Sequence, residues 1–255
     1  MQIIDNKALL LKTRNPTRII ATIPKSQVVE TRGDVSAVLV KWGLEEAQVL
    51  KNLGIKAPSP IVGRYDWPGM FKPFAHQKDT AAFLSLHKRA YCFNEQGTGK
   101  TGAIAWASDY LMKLNFIKRV LVICPLSIMS AAWQADLFKI LMHRRVDIAH
   151  GDRKKRAKVL AGDAEYVIIN FDGVETVADE LKNSGFDLVV IDEATAIKTA
   201  TTKRWKAINS IIKPETWVWM ATGTPASQAP TDAYGLAKML NPSSVSPYFY
   251  SFRDQ

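Results

Sequence analysis

Cysteine and histidine are scarce in this sequence. Its 255 residues include two cysteines and four histidines, and the histidines show no metal-ligand spacing. Cys92 and Cys124 both fall in apolar segments that predict buried strands. We therefore interpret them as core thiols of a protein in a reducing, cytoplasmic compartment. We expect neither a disulfide framework nor a metal site built from Cys and His.

Long apolar runs are also absent. No stretch of about 18 apolar residues occurs, as a transmembrane helix would require, and residues 1–5 lack the charged-then-apolar pattern of a secretory signal. Hydrophobic residues nevertheless make up 47% of the chain, which is ample for a core. We expect no membrane partner and, at this length, one large domain or one domain with a small companion.

Basic residues outnumber acidic ones and are unevenly distributed. The net charge is +10. Residues 139–158 hold eight Lys or Arg against two Asp, and residues 198–213 hold five Lys or Arg and no acid. A single charge run is most often a solvated face, but the overall balance favours an anionic partner, most simply nucleic acid.

The central motif is the stretch 94–101, Asn-Glu-Gln-Gly-Thr-Gly-Lys-Thr, which follows an apolar run and precedes a helix-like segment. This context is typical of a phosphate-binding loop. Its glycines let backbone N–H groups point at phosphate oxygens, and the helix N-terminus adds a positive dipole. Asn replaces the usual first Gly, and Asn tolerates unusual backbone angles. The alternative is a glycine-containing turn before an ordinary helix.

Each residue of this loop has an expected task. Lys100 supplies a point charge to the β- and γ-phosphates, and the Thr101 hydroxyl binds Mg²⁺. The predicted nucleotide-binding residues of the loop are Asn94, Gln96, Gly97, Thr98, Gly99, Lys100 and Thr101.

An apolar strand ends in two carboxylates, Asp192 and Glu193. A phosphate-binding loop needs such a partner. Asp192 is suited to hold Mg²⁺ through a water, opposite Thr101, and Glu193 is suited to orient and deprotonate an attacking water. The alternative is a strand followed by an acidic helix cap.

A later strand ends in Thr222, Gly223 and Thr224. Two hydroxyls around a glycine are suited to sense the state of the acidic cluster and to relay it. The alternative is a plain turn after the strand.

Strand and helix patterns alternate from residue 90. Near-continuous apolar strands indicate a parallel sheet covered by helices on both faces, and therefore an α/β fold, with ligands at the carboxyl ends of the strands. We predict strands at 90–94, 119–124, 146–149, 166–170, 187–191 and 217–222. We predict helices at 77–87, 100–114, 128–141, 154–161, 176–183, 202–212 and 232–240.

Residues 1–60 have a different pattern and predict a small β-rich N-terminal module. Short strands are predicted at 8–11, 18–23 and 38–42, with a helix at 44–53. The Ala-Pro-Ser-Pro stretch at 57–60 is typical of a linker. We therefore predict two domains, 1–60 and 61–255.

Taken together, the motifs resemble the first motor lobe of superfamily 2 helicases, and among them the Swi/Snf-type translocases. That family shows Asp-Glu-x-Gly-x-Gly-Lys-Thr, Asp-Glu-Ala-His with Ile-Lys-Asn, and Leu-Thr-Gly-Thr-Pro. The corresponding stretches here are 94–101, 192–195 with 197–199, and 221–225. Cys-Pro-Leu-Ser at 124–127 with Trp-Gln beyond, Asn-Phe-Asp at 170–172 and His-Gln at 76–77 are similar to three further family motifs.

The resemblance covers about residues 65–255, with two departures. Asn94 replaces Asp and Thr195 replaces His, so the approach to the phosphate loop and the coupling of the acidic cluster are expected to differ in detail.

This resemblance implies a RecA-like, ATP- and Mg²⁺-dependent motor lobe that remodels or unwinds DNA. Lys100 and Glu193 are then the catalytic residues. Gln77 is expected to read adenine, because its amide offers both a donor and an acceptor, with Phe71 or Trp67 stacked on the ring; alternatively, Gln77 only begins a helix. The implied nucleic-acid contacts are Pro125, Ser127, Asn170 and Asp172.

The family completes its ATP site with a second lobe that carries Gln-x-x-Gly-Arg-x-x-Arg, a pattern that does not occur in these 255 residues. We therefore expect a second RecA-like lobe, in cis or in trans, and poor activity of residues 1–255 alone. Residues 1–60 resemble the front modules of annealing-helicase-type and phage-encoded relatives, which bind branched or duplex DNA.

Two alternative hypotheses remain. In the first, the chain is a module that binds nucleotide and nucleic acid without turnover. In the second, it is another phosphate-loop enzyme, such as a small-molecule kinase. A kinase needs a lid and an acceptor-site acid, but not the Thr-Gly-Thr motif. The sequence leaves open DNA versus RNA, and unwinding versus annealing or translocation.

Overall fold

Apolar strands and helices alternate from residue 89 onward, as the sequence predicts. The computed structural model describes residues 1–95, 97–223 and 229–253. The chain divides into two compact units, one of Met1–Asp66 with Ala81–His87, and one of Trp67–Thr80 with Lys88–Gln255. Among the described residues, no helix is long and apolar enough to cross a membrane.

The first unit contains a four-stranded antiparallel sheet in the order β1-β2-β4-β3. Alternate residues of the two central strands are buried, among them Leu9 and Val38, and they pack with Trp42 into the core of this unit. Its elements are β1 (Gln2–Ile4), β2 (Ala8–Thr13), α1 (Pro16–Thr22), β3 (Gln27–Arg32), β4 (Val35–Lys41), α2 (Leu44–Asn52) and α3 (Ile61–Arg64).

The strand predicted at 18–23 is wrong, because this stretch forms the helix α1. The Asn15 side chain accepts a hydrogen bond from the Arg18 N–H at 3.3 Å, and Pro16 occupies the first helical position. An Asn cap followed by Pro starts a helix, since Pro has no N–H to lose there. The same two residues predict a turn when no tertiary context is known.

The stretch 57–60 is packed and does not behave as a free linker. Ala57 and Ser59 are buried, and the Trp42 indole donates to the Pro58 carbonyl at 2.9 Å. The Ser59 and Ser85 hydroxyls lie 2.7 Å apart. The compact unit therefore extends past the border predicted at residue 60, to Asp66.

The second unit is built on a six-stranded sheet, and every strand pair in it is parallel. The sheet order is β5-β10-β9-β6-β8-β7, and most strand residues are buried. The predicted α/β class with a parallel sheet is confirmed. The strands are β5 (Arg89–Cys92), β6 (Val120–Cys124), β7 (Val146–Ala149), β8 (Tyr166–Asn170), β9 (Leu188–Asp192) and β10 (Trp217–Ala221).

The helices between these strands agree with the predicted ones except in two places. Residues 128–141 do not form one helix, since a 3₁₀ turn and a π-helical turn, Met129–Gln134, precede the short α-helix. The helix predicted at 176–183 corresponds to the shorter Ala178–Lys182, and the preceding helix Phe171–Thr176, which ends at Val177 with a φ of −124°, was not predicted. The helices are α4 (Ala75–Leu86), α5 (Lys100–Lys113), α6 (Ala135–Ile140), α7 (Arg153–Leu160), α8 (Phe171–Thr176), α9 (Ala178–Lys182), α10 (Lys203–Ile211), α11 (Ala233–Leu240) and α12 (Phe249–Arg253).

The cysteines behave as predicted core thiols. Cys92 and Cys124 are both free and buried, at the ends of β5 and β6. Burial raises the pKa of the Cys124 thiol to about 12, so this thiol stays protonated and unreactive at neutral pH.

A buried carboxylate anchors α5 to the sheet. Asp109 is fully buried, and its Oδ1 accepts hydrogen bonds from His143 Nε2 at 2.9 Å and Arg144 Nε at 2.7 Å. Arg144 also donates to Glu165 at 2.6 Å, just before β8. This network positions the helix that begins at the phosphate loop.

We expect Asp109→Ala to lower the free energy of unfolding by about 3 kcal/mol, because His143 and Arg144 each lose a charge-assisted hydrogen bond worth about 1.5–3 kcal/mol, while Glu165 still pairs with Arg144. Urea denaturation measures the loss. The matched control is Asp163→Ala, which removes an exposed carboxylate from its pair with Arg145 and is expected to cost less than about 1 kcal/mol. Equal losses in the two variants would contradict the anchoring role.

Candidate nucleotide-binding site

The candidate phosphate loop connects β5 to α5. Gly97 and Gly99 have φ angles of +77° and +72°, which L side chains rarely adopt. A Cβ on Gly99 would also lie 2.1 Å from Gln77 Nε2. The second glycine is therefore required by its backbone angle, and a side chain there would also displace the Gln77 amide. Gln96, a predicted loop residue, lies outside the described residues.

Lys100 closes the loop on itself in this structure. Its Nζ donates to the carbonyls of Asn94 at 2.9 Å and Glu95 at 3.0 Å, and the Thr98 hydroxyl donates to the same Glu95 carbonyl. Asn94, which departs from the family pattern, donates its amide to Thr80 Oγ1 at 2.9 Å. The lysine charge thus lies within the loop, where a phosphate would compete with two backbone carbonyls for it.

The acidic pair lies at the carboxyl end of β9. Ala221 of β10 is opposite both Cys92 of β5 and Asp192 of β9, so the loop and the carboxylate are separated by two strand spacings, about 10 Å. Glu193 has a φ of +51°, and non-Gly residues in this region concentrate at functional sites.

Both Asp192 carboxylate oxygens have hydrogen-bond donors. Oδ1 accepts from the Glu193 N–H at 2.9 Å, and Oδ2 accepts from the Trp133 indole at 2.8 Å. The sequence does not predict the contact between Trp133 and Asp192. The Trp-Gln pair that follows the stretch 124–127 marks Trp133 as part of a motif, but no neighbouring residue in the sequence indicates that its partner is a carboxylate.

The donor set near the loop fits Mg²⁺. A carboxylate with spare lone pairs on Asp192 and the partly buried hydroxyl of Thr101 are hard oxygen ligands. Within the described ranges, no group of three or more His, Cys, Asp and Glu side chains forms a metal cage. Mg²⁺ typically needs no such cage, since it is held by one or two protein oxygens together with substrate phosphates.

A cavity of about 390 Å³ lies beside the phosphate loop and includes Gln77 and Gly99 in its lining. The Gln77 amide accepts from the Phe74 N–H at 2.9 Å and donates to the Thr98 carbonyl at 3.2 Å. The Gln77 side chain therefore both stabilises the loop through Thr98 and lines the cavity. The other lining residues are Met70, Phe71, Lys72, Phe74, Gly102, Trp106, Asp136 and Ile140.

Of the two aromatic residues predicted to stack on a base, Phe71 is placed for it and Trp67 is not. Phe71 lines the cavity and is half exposed. Trp67 is buried and packs edge-on against Trp106, with ring centroids 5.9 Å apart.

The predicted coupling residues follow β10, between the loop strand and the acidic strand. Thr222 is fully buried, and its N–H donates to the Cys92 carbonyl at 3.2 Å. Gly223 comes next, and Thr224 lies outside the described residues.

The predicted nucleic-acid residues lie at the ends of two paired strands, since Cys124 of β6 is opposite Asn170 of β8. Ser127 is exposed and Pro125 is half-buried. Asn170 is buried, and its Oδ1 accepts from Arg156 at 3.0 Å. The structure brings these residues to one edge, but the Asn170 side chain is already held by the protein.

Asp172 is exposed and accepts a hydrogen bond from Arg204 at 2.7 Å. The Arg204 guanidinium also lies over the Phe171 ring, 5.2 Å from its centroid. This arginine is thus engaged by α8.

Half of the cations in the basic run 139–158 serve the structure itself. Arg144 and Arg156 bind inside the protein, as described above. Arg145 and Arg153 are exposed and pair at the surface with Asp163 and Glu180. The other four cations of the run are exposed lysines: Lys139, Lys154, Lys155 and Lys158. The predicted basic surface is therefore smaller than the sequence indicates.

Comparison with known proteins identifies the family. The profile of the SNF2-related domain matches residues 38–255, and thus begins within the first unit. The "Uncharacterized ATP-dependent helicase YqhH" of Bacillus subtilis is 25% identical over 186 residues, covering 69% of this chain and 30% of that protein. The human "DNA repair and recombination protein RAD54B" is 26% identical over 193 residues, covering 68% of this chain and 21% of that protein.

A solved structure has the same fold. The Sulfolobus solfataricus SWI2/SNF2 ATPase core, in complex with double-stranded DNA, superimposes with a TM-score of 0.65 at 24% identity, covering 74% of this chain and 39% of that one. The chain spans less than half the length of that core and less than a third of the two curated relatives. The predicted RecA-like lobe is confirmed, and because the family profile covers most of its residues, the chain belongs to the SNF2-related domain family.

Proposed function

We propose that this chain is the ATP-binding motor lobe of a DNA-dependent ATPase, of the helicase or double-strand DNA translocase type. The observation that carries the proposal is the placement of the phosphate loop and the Asp192–Glu193 pair on either side of β10, at one edge of a parallel sheet. Membership of the SNF2-related family supports it, and so do the names of the relatives, which include an ATP-dependent helicase and a DNA repair protein.

The loop binds the phosphates in this proposal. Lys100 exchanges the carbonyls of Asn94 and Glu95 for the β- and γ-phosphate oxygens, while loop N–H groups and the N-terminus of α5 contribute partial positive charge. Thr101 and Asp192 hold Mg²⁺, which neutralises phosphate charge when bound. Glu193 accepts a proton from the attacking water on its carboxylate.

The cavity beside the loop receives the base. Gln77 presents a donor and an acceptor to the adenine edge, and Phe71 offers an aromatic face at the cavity wall. The Gln77 amide also contacts the Thr98 carbonyl in the loop. In this proposal, one side chain therefore contacts both the base and the loop that binds the phosphates.

Nucleic acid is proposed to cross the edge formed by the ends of β6 and β8, near Pro125, Ser127, Asn170 and Asp172. Backbone groups and the Ser127 hydroxyl suit phosphate contacts, which carry little sequence information. Double-stranded or branched DNA is the proposed partner, with residues 1–60 as a further DNA-binding module. Thr222, Gly223 and Thr224 are proposed to couple this edge to the acidic pair.

The second candidate is a binding module without turnover of its own. The absence of the Gln-x-x-Gly-Arg-x-x-Arg pattern from the 255 residues favours it. Arg204, one arginine that could act in place of that pattern, is engaged by Asp172 and Phe171. A second RecA-like lobe in cis or in trans is therefore part of the proposal.

We expect Lys100→Ala to weaken ATP binding roughly 10- to 100-fold, because it removes charge-assisted hydrogen bonds worth about 1.5–3 kcal/mol. Calorimetry with residues 1–255 measures it. Lys182→Ala is the control, since that lysine forms an exposed pair with Asp179 on α9 and its removal is expected to leave affinity unchanged. Unchanged binding by Lys100→Ala would refute the phosphate-loop assignment.

We expect residues 1–255 to bind ATP, to hydrolyse it very slowly and to respond little to duplex DNA. An arginine finger is worth about 10³–10⁵ in rate in comparable enzymes, and an open cleft does not exclude water. Phosphate release with and without duplex DNA measures this. In a form with a second lobe, turnover is restored, and Glu193→Gln abolishes turnover while ATP still binds. Rapid DNA-stimulated turnover by residues 1–255 would contradict the two-lobe requirement.

We expect DNA affinity to fall steeply with salt and to show little sequence preference, because phosphate contacts release counterions. Lys154→Ala, which removes an exposed cation of α7, should reduce the slope of log affinity against log salt by about 1. Arg145→Ala changes the net charge equally but removes a cation already paired with Asp163, so its slope should stay unchanged. Identical effects of the two variants would mean that only net charge matters.

A further inference from the structure

The indole of Trp133 makes a buried contact that the proposed mechanism does not use. Its ring is 1% exposed, and its Nε1 donates to Asp192 Oδ2 at 2.8 Å. Three other buried indoles, those of Trp42, Trp106 and Trp205, donate to backbone carbonyls. Trp133 instead donates to the side chain proposed as a Mg²⁺ ligand.

The backbone around Trp133 has an unusual form that directs the ring inward. Met129–Gln134 is a π-helical turn between a 3₁₀ turn and α6. It packs against β7 and β8, whereas the indole reaches the end of β9. A π-helical turn contains about one more residue than an α-helical one; such turns are rare and are frequently found at functional sites. The extra residue changes the direction in which every later side chain of the turn points.

The Asp192 carboxylate is thereby held from two sides. The Glu193 N–H binds Oδ1 from within the chain, and the Trp133 indole binds Oδ2 from 59 residues away in sequence. Two donors on different oxygens define the plane of the carboxylate. The lone pairs that they leave free are the ones available to a metal.

We propose that Trp133 is a positioning residue for Asp192, which orients the carboxylate toward Mg²⁺ bound with the nucleotide. This inference rests on the proposed function, because it assigns a partner to the Mg²⁺ ligand of that site. Groups that hydrogen-bond to metal ligands orient them, and their removal typically weakens metal binding by about 10- to 100-fold. Trp133→Phe keeps an aromatic ring and removes only the N–H donor and the larger ring system.

The test separates positioning from packing with a matched pair of variants. Trp133→Phe and Trp205→Phe each remove one buried indole hydrogen bond, but Trp205 donates to the Gly235 carbonyl. Calorimetry gives the dissociation constant of residues 1–255 for the β,γ-imido analogue of ATP, with Mg²⁺ and with a chelator. The ratio of the two constants is the Mg²⁺-dependent gain in affinity. Asp192→Asn is the reference for a lost ligand.

We expect Trp133→Phe to reduce this ratio by about 10-fold or more, in the direction of Asp192→Asn, while Trp205→Phe keeps the wild-type ratio. Both Trp variants lose stability in urea, so stability alone does not distinguish them. A wild-type ratio in Trp133→Phe would overturn the inference and leave the proposed function standing. A wild-type chain that shows no Mg²⁺-dependent binding would overturn both.

A second measurement keeps the inference testable if Trp133→Phe does not fold. The seven tryptophans are labelled with ¹⁵N, and the Trp133 indole signal is identified as the one moved most by Asp192→Asn. We expect this signal to shift when Mg²⁺ is added to the wild-type chain with the analogue bound. A signal that does not respond to Mg²⁺ would show that the indole only packs against β9.

Discussion

The parallel pairing of β5, β10 and β9 is the constraint on which the proposed nucleotide site depends. In a parallel sheet all carboxyl ends meet at one edge, so whatever follows each strand is brought together there. Ala221 of β10 lies opposite both Cys92 and Asp192. The phosphate loop and the acidic pair are far apart in sequence, yet this register places them two strand spacings apart. A shift in the pairing of β10 would separate them.

Buried polar contacts then hold the elements that carry the site. Asp109 binds His143 and Arg144 and thereby fixes α5, the helix that leaves the phosphate loop. The Trp133 indole binds Asp192 at the end of β9. In each case a carboxylate that would be costly to bury alone is satisfied by donors from another element, so the same contacts stabilise the fold and orient the site.

Polar contacts within the protein also reduce the number of cations that are available at its surface. In the basic run 139–158, Arg144 and Arg156 bind inside the protein, Arg145 and Arg153 pair with carboxylates at the surface, and the other four cations are exposed lysines. Arginine's rigid fork suits carbonyl and carboxylate partners in the interior, whereas lysine is a solvated point charge. The positive surface proposed to bind DNA phosphates is therefore better described by the exposed lysines than by the net charge of +10.

The sequence by itself determined the strands of the parallel sheet, and it placed the glycine-rich stretch 94–101 after β5 and the carboxylate pair at the end of β9, because each is encoded by consecutive residues with a local physical signature. It did not determine the helix at Pro16–Thr22, where Asn15 and Pro16 are compatible with a turn or a helix start. Nor did it indicate the pairing of Trp133 with Asp192, or of Arg156 with Asn170. Only the tertiary structure decided these, since hydrogen bonds between distant side chains depend on how the elements pack, and no periodicity along the chain records that arrangement.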